Sequence, residues 1–550
     1  MEAELMKILI AGGVAAGTKI AAKLKREDRN AEVLILNKGK DISYAGCGLP
    51  YYVGGVIKTR DELVVNTPEA FMALTGAEVR TGVEVTAVDR SEKRVTAKDL
   101  DSGEIFTEPY DKLVIATGAH PFVPQCEGLE LENVFFMRTP DDADALRKQV
   151  DAGRIKRAVV AGGGLIGLEV AENLADRGMK TSVIDFAPHV LSELLDPEMS
   201  EYVENAMADV GIMPFTNVAL EGISGNGRVE KILTSRRPMK ADAVVLAMGF
   251  RPNTEFLEGT GLEMHRGTLL VDEHMQTNDP DIYAAGDCAL VTNRTTGRRQ
   301  WSAMGSTANI AGRLAAAYIA GGEPNASYPG VLGTGIAKLP GTNMARTGLT
   351  EKAAREAGYD VETVITAADD KAHYYPGAGS FLTKMICDRK THRLLGLQVL
   401  GEGAVDKMAD IAVTAISLGA RLEDLQSADF AYTPPFSTAI HPFALTVNVL
   451  LNKLSGKLET FTPAEYAAGA AEGYEIIDCS IQPSIKGAPY LDLIKINGPA
   501  EGYAPESRLL LVCSKGKRAY LVQNRLKFYG YTNTRVLEGG TLFNTRFAEE

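Results

Sequence analysis

Cysteine is scarce in this chain: six residues in 550, namely Cys47, Cys126, Cys288, Cys387, Cys479 and Cys513. Even the closest pair, Cys479 and Cys513, stands 34 positions apart, which excludes any C-x-x-C zinc or thioredoxin-type motif and a secreted disulfide scaffold. Long apolar runs are also lacking. The charge-free stretch Phe430 to Asn452 is broken by Pro434, Pro435 and Pro442, so it does not read as a membrane helix. At the start, Ile8 to Ala11 follows Lys7 but runs into Gly12, Gly13 and Gly17, which fits a globular strand better than a signal peptide. Basic residues are outnumbered, 58 against 71 acidic, for a net charge of −13; general nucleic-acid binding, which needs Lys and Arg for the phosphates, is excluded. Local basic pockets for small anions are not. The expectation is a cytoplasmic protein with individual reduced thiols, some of them reactive, and no metal ligand set.

What the chain has is glycine, 55 residues, and two groups of them are patterned. Lys7 to Ala11 leads into Gly12-Gly13-Val14-Ala15-Ala16-Gly17, then a helical stretch Thr18 to Arg26, then Val33 to Leu36. The arrangement recurs 150 residues on: Ala158 to Ala161, Gly162-Gly163-Gly164-Leu165-Ile166-Gly167-Leu168-Glu169, a helical segment, and Thr181 to Asp185. Each turn has a later apolar-then-glycine companion, Leu113 to Gly118 and Val244 to Gly249. Strand, glycine turn, helix, strand is the opening of a doubly wound sheet, and its duplication predicts two nucleotide-binding domains. Bare backbone at Gly162, Gly164 and Gly167 would let a pyrophosphate approach a helix N-terminus. Asp185, ending the next strand, is placed for a ribose 2′-hydroxyl and would repel a 2′-phosphate, with no Arg in Phe186 to His189 to offset it; NADH is predicted over NADPH. The first turn keeps Gly12 and Gly17 but has Val14 between them and Asn37 at the acidic position. By itself it is ambiguous.

From about residue 327 the glycine turns stop, and strand-like Lys384 to Ile386 and Leu394 to Leu400 alternate with a helical Asp406 to Leu418. That reads as an α+β domain. Residues 453–470 read as a linker with a short helix, and 471–550 as a small α/β unit with strands at Glu475 to Ile477, Leu509 to Val512 and Thr534 to Leu537 and a helix at Lys517 to Tyr529.

Four segments carry a family resemblance. Thr277 to Asp287, ending Tyr283-Ala284-Ala285-Gly286-Asp287, resembles the second flavin signature of the two-dinucleotide-domain flavoproteins, whose Asp bonds the FAD ribitol; Asp287 takes that role. Ser43-Tyr44-Ala45-Gly46-Cys47-Gly48-Leu49-Pro50-Tyr51-Tyr52 has a single cysteine where dithiol reductases have two. Ala372 to Gly377 and Phe430 to Phe436 resemble tyrosine motifs of one branch. The first 450 residues thus resemble the pyridine nucleotide-disulfide reductase family, and within it the single-cysteine coenzyme A-disulfide reductase branch. The resemblance implies an FAD-binding domain over 1–149 with 247–326, an NAD-binding domain over 150–246 and a dimerisation domain over 327–452. It implies FAD on Gly12, Gly17, Thr117, Gly118 and Asp287, NADH on the second turn, and a homodimer in which Tyr374 and Tyr432 reach the active-site cysteine of the other subunit. With one thiol at Cys47, the electron acceptor must be a mixed disulfide, a persulfide or a sulfenic acid. A helix N-terminus beginning near Cys47, together with the flavin, is expected to lower its pKa.

Coenzyme A is a candidate ligand, with Ser43, Lys19, Lys23 and Arg26 as candidate contacts, although Gly46 replaces the branch's usual Asn and its lysine is replaced near Thr75. Ala15 stands where peroxidase-like relatives have a His, and His441 where the branch tends to have Asp; His441 reads as a proton donor or a packed histidine. Finally, Leu511-Val512-Cys513-Ser514-Lys515-Gly516-Lys517-Arg518 resembles the C-x-x-G-x-R loop of single-domain rhodaneses, an anion nest at a helix N-terminus. In that loop Cys513 would carry sulfur, Arg518 would hold the loop or the anion, and Lys515 and Lys517 would add positive potential. The usual Asp-Val-Arg of that fold is Asp478-Cys479-Ser480 here. The predicted activity is NADH-driven reduction of a small-molecule disulfide, persulfide or polysulfide. An NADH oxidase or peroxidase using a Cys47 sulfenate, and a redox or sulfur sensor, are the alternatives.

Overall fold

A computed structural model describes residues 6–321 and 327–545; residues 1–5, 322–326 and 546–550, at the edges of the expected FAD-binding and C-terminal ranges, lie outside it. The chain forms two compact units, residues 1–188 with 211–331, and residues 189–210 with 332–550.

The first unit holds two parallel five-stranded sheets. One runs Ile282–Ala284, Lys112–Ile115, Lys7–Ala11, Glu32–Asn37, Glu78–Thr81; the other runs Met213–Phe215, Lys180–Ile184, Arg157–Ala161, Ala243–Leu246, Val134–Phe135. In each, the strand before the glycine turn pairs on both sides and is almost wholly apolar, as a strand covered on both faces must be. The helices that follow are Ala16–Glu27 and Leu165–Asp176. The first begins inside the glycine turn, two residues before the Thr18 read from sequence. It is amphipathic, with Ile20, Ala21 and Leu24 buried, and packs against Gly305–Ile319.

The second unit contains an antiparallel sheet in the order Gly335–Leu339, Thr342–Gly348, Leu394–Gly401, Ser380–Asp388, Val361–Asp369, packed by the helices Val405–Ser417 and Pro442–Leu454. Its C-terminal part is a parallel sheet, Thr460–Phe461, Thr534–Leu537, Leu509–Val512, Glu475–Asp478, with the helix Lys517–Phe528. Two sequence expectations change here. Residues 453–470, read as a linker with a short helix, contain that helix at Pro463–Ala467 and also the strand Thr460–Phe461, which pairs with Val536 and Leu537 as the edge of that sheet. Residues 189–210, expected within the NAD-binding range, belong to the second unit through Asp196 and Glu198, which flank the buried Lys384 ammonium at 3.0 and 2.6 Å, with Glu351 at 2.8 Å. Among the described residues no helix is long and apolar enough to cross a membrane.

Urea denaturation of three variants checks this picture. Lys384→Met leaves three carboxylates facing one another and lowers stability by about 3–5 kcal/mol. Gly162→Ala lowers it by about 1–3 kcal/mol or more, because φ is +115° and a Cβ would lie 2.2 Å from the Ala247 carbonyl oxygen. Gly164→Ala, where a Cβ meets nothing within 4 Å, changes it by no more than about 1 kcal/mol.

Candidate active site

The two glycine turns are built alike. Gly12 (φ +106°) and Gly162 (φ +115°) each press on a carbonyl of the neighbouring strand's end, Ala116 and Ala247, at 2.2 Å from where a Cβ would sit. Gly17 and Gly167 lie over the carbonyls of Gly12 and Gly162 with no space for a methyl. In each turn the next amide is held by the residue ending the following strand: Gly13 N–H donates to Asn37 Oδ1 at 2.9 Å, and Gly163 N–H to Asp185 Oδ2. Asp185 Oδ1 also accepts from Ala187 N–H. Asp185 therefore braces the turn as well as standing at the predicted ribose position. Both helices lack an acidic residue in their first turn, and Gly164 is open on its Cα side. Bare backbone, a helix dipole and no opposing carboxylate fit a pyrophosphate at each turn. Thr117 and Gly118 follow the first sheet's Lys112–Ile115; Thr117 Oγ1 donates to the Asn253 carbonyl at 2.7 Å, and Gly118 is left-handed at φ +68°.

Cys47 lies in a 3₁₀ turn, Gly46–Gly48, followed by the five-residue helix Leu49–Val53. It keeps an exposed surface. Nonetheless desolvation by the surrounding chain, then the Glu169 and Asp287 carboxylates, push its thiol above the ordinary value, with Arg138 opposing them. The lowering expected from a helix N-terminus together with the flavin is opposed by the chain itself: the helix after Cys47 has only five residues, and lost water and two carboxylates act the other way. Asp287 is paired with Arg138 at 3.0 Å, and Glu169 accepts from the Tyr51 hydroxyl at 3.1 Å. Burial raises Glu169 to about 7, with the nearby Glu172 adding to it. Tyr52, next to Tyr51, instead donates to Asp144 at 3.0 Å beneath the Arg147 guanidinium. Glu169 and Arg138 were given no role from sequence. The signal for Glu169 was its place two residues after Gly167 in the second turn; Arg138 had none.

Among the candidate coenzyme A contacts, Ser43 is left-handed at φ +49° and its amide donates to the Gly13 carbonyl at 3.0 Å. Lys23 is paired with Glu27, Lys19 is half-buried and Arg26 is exposed on the same helix.

In the second unit Tyr374 lies in the hairpin after Val361–Asp369 and Tyr432 in the loop before Pro442–Leu454; both are exposed. The structure brings them together: a hydrogen bond with Tyr374 is the first cause of the raised Tyr432 phenol, and Ala372 N–H reaches the Pro434 carbonyl at 3.4 Å. His441 is buried against Phe430, its Nδ1 accepts from Phe443 N–H, and burial, with Lys407, lowers it to about 4. It is neutral at pH 7 and caps a helix, which is the packed reading.

Cys513 ends Leu509–Val512 and is buried. Its sulfur accepts from Ala519 N–H at 3.4 Å, and Gly516 (φ +81°) turns the loop into the helix. Arg518 holds the loop, donating from Nε to the Cys479 carbonyl at 3.1 Å and pairing with Asp492 at 3.3 Å. Lys515, expected to add free positive potential, is paired with Asp369 instead, while Lys517 is exposed.

Two glycine turns with anion-ready helix ends and one thiol among the carboxylates between them define a nucleotide-dependent redox protein. The chain belongs to the pyridine nucleotide-disulphide oxidoreductase family: that family's model matches residues 6–310 and its dimerisation-domain model residues 340–444. It is 34% identical to an NADH oxidase of Methanocaldococcus jannaschii, covering 82% of this chain and 100% of the relative. It is 35% identical to an NAD(P)H coenzyme A polysulfide/persulfide reductase of Pyrococcus horikoshii, covering 81% and 98%. The crystal structure of reduced Bacillus anthracis CoADR-RHD matches with a TM-score of 0.93 at 31% identity, over 100% of this chain and 99% of that one.

The electrostatic reading is checked by the pH dependence of Cys47 alkylation. Removing the carboxylate in Glu169→Gln takes away a charge that opposes the thiolate, so the inflection moves to lower pH. An unmoved or higher inflection contradicts the assignment.

Proposed function

We propose that the protein is an FAD-dependent, NADH-driven reductase of sulfur–sulfur bonds, acting on coenzyme A disulfide, coenzyme A persulfide or polysulfide at Cys47, in the cytoplasm and as a homodimer. The observation that carries this reading is the solitary Cys47 thiol, set beside Glu169 of the second turn's helix and Asp287 of the flavin signature, with tyrosines rather than a second cysteine on the helix after it. Gly12, Gly17, Thr117, Gly118 and Asp287 would hold FAD, and Gly162, Gly164, Gly167 and Asp185 the nicotinamide cofactor, with Asp185 favouring NADH. Bound FAD supplies the chemistry of taking an electron pair from NADH and giving it to sulfur.

The chain's own residues then have defined tasks. Cys47 receives one sulfur of the substrate as a mixed disulfide, its thiol pushed above the ordinary value by lost water and the nearby carboxylates. Glu169, near neutral pKa and bonded to Tyr51, can hold or release a proton beside it. The tyrosine pair Tyr374 and Tyr432, carried over from the branch, donates to the leaving sulfur of a second copy's site. The C-terminal 80 residues are read as a rhodanese-like domain in which Cys513 carries sulfane sulfur, supported by the thiol–amide contact with Ala519 and the Arg518 brace. The Pyrococcus name and the full-length match to the Bacillus structure support this reading.

The Methanocaldococcus name favours a second one, NADH oxidase chemistry through a Cys47 sulfenate; Ala15, in place of the first-turn histidine, speaks against it. The test is anaerobic NADH oxidation on coenzyme A disulfide, coenzyme A persulfide and polysulfide, with oxygen uptake measured separately. Turnover on at least one sulfur substrate, falling by about a thousandfold or more in Cys47→Ser, is the expected result. Rapid oxygen or peroxide reduction with no sulfur turnover would establish the second reading.

A further inference from the structure

Cys479 is used by neither reading, yet its placement is specific. Glu475–Asp478 and Leu509–Val512 are neighbouring parallel strands whose register ends at Asp478 against Val512. The next residue on each strand is a cysteine, and Cys479 N–H donates to the Val512 carbonyl at 2.7 Å, so the pairing continues to that point. The side chains alternate between faces: Ile477, Cys479, Leu511 and Cys513 share one apolar cluster, while Leu510 and Val512 lie in another. Cys479 and Cys513 are thus side by side on the same face of the sheet. Adjacent strands stand about 4.8 Å apart, within the roughly 4.4–6.8 Å span of Cα positions that a disulfide bridges. Their backbones are held there, Cys479 through its carbonyl to Arg518, and Cys513 through its carbonyl to Thr541 N–H at 3.1 Å. Both thiols are free.

We propose that Cys479 is the resolving cysteine of Cys513, converting a Cys513 persulfide into a Cys479–Cys513 disulfide with release of sulfide. The inference rests on the reading that Cys513 carries sulfane sulfur. In the step, the Cys479 sulfur attacks the Cys513 sulfur and forms the new S–S bond. The bond to the outer sulfur breaks, and that sulfur leaves as hydrosulfide, taking up the Cys479 proton to give hydrogen sulfide. The two cysteines are oxidised by two electrons and the sulfane sulfur is reduced by two. A small-molecule thiol reverses the disulfide by exchange. Burial, with the neighbouring Cys513 and Asp478, raises the Cys479 thiol, with Arg518 opposing. Resolution is therefore slower than handing the sulfur to an acceptor already present, and it discharges a persulfide that finds none.

The experiment uses the full FAD-bound chain, reduced, freed of small thiols, and exposed anaerobically to inorganic polysulfide without NADH. It is then denatured, alkylated and mapped by mass spectrometry. The expected wild-type product is a peptide joined through Cys479 and Cys513, with about one sulfide released per chain beyond the shortened polysulfide or sulfide that leaves when Cys513 is loaded. Cys479→Ala and Cys479→Ser instead keep an extra sulfur on Cys513, release only what loading itself liberates, and retain NADH-driven turnover at Cys47. Wild-type protein that keeps the extra sulfur on Cys513 with Cys479 alkylated overturns the inference and leaves the sulfur-carrying reading intact. No sulfur on Cys513 and no cross-link in any variant overturns both, with turnover at Cys47 judged separately.

Discussion

Ionising Cys47 has to be done against its surroundings. The thiol has lost part of its water and faces Glu169 and Asp287, with the Arg138 guanidinium on the other side already paired with Asp287. A free, permanently charged thiolate would be reactive toward any electrophile; a thiol kept protonated is not. The same field ties Cys47 to Glu169. When Glu169 is protonated, below about pH 7, the charge that opposes the thiolate is gone. The ionisation of this sulfur is therefore coupled to a carboxyl group that belongs to the second glycine turn's helix.

That coupling follows from the duplicated architecture. Each turn is fixed by steric contacts of bare backbone, Gly12 on Ala116 and Gly162 on Ala247, and by one side chain from the next strand. These contacts are local to each turn. The C-terminal part uses a related device: Gly516 turns the chain at a helix N-terminus, and an amide there points at the Cys513 sulfur. In both places a thiol is set near a helix start, but the outcome differs. Around Cys47 carboxylates dominate; around Cys513 the neighbours are an amide and the Arg518-braced loop.

The parts of this structure legible in the sequence are those governed by short-range backbone rules. The glycine turns, their strands and the helix after Cys513 could be read because each needs specific residues within a dozen positions. The tyrosine pair was reachable through resemblance, and the structure joins Tyr374 to Tyr432. What was missed depends on distant partners. Glu169 meets Tyr51 from 118 residues away and Arg138 meets Asp287 from 149 residues away, and nothing local marks either contact. The two-residue strand Thr460–Phe461 is too short to show alternation, so it passed for linker. At Cys47 the same holds: the helix start is visible in the sequence, and the carboxylates that oppose ionisation are not.

On the proposed function, Cys47 takes its redox partner from a bound molecule rather than from the chain. Mass mapping of the oxidised protein, unfolded under acid without reductant, reads this directly. The expected product is Cys47 joined to a small thiol or carrying an extra sulfur, released by NADH before unfolding. Cys47 found in a disulfide with another cysteine of the same chain would contradict it.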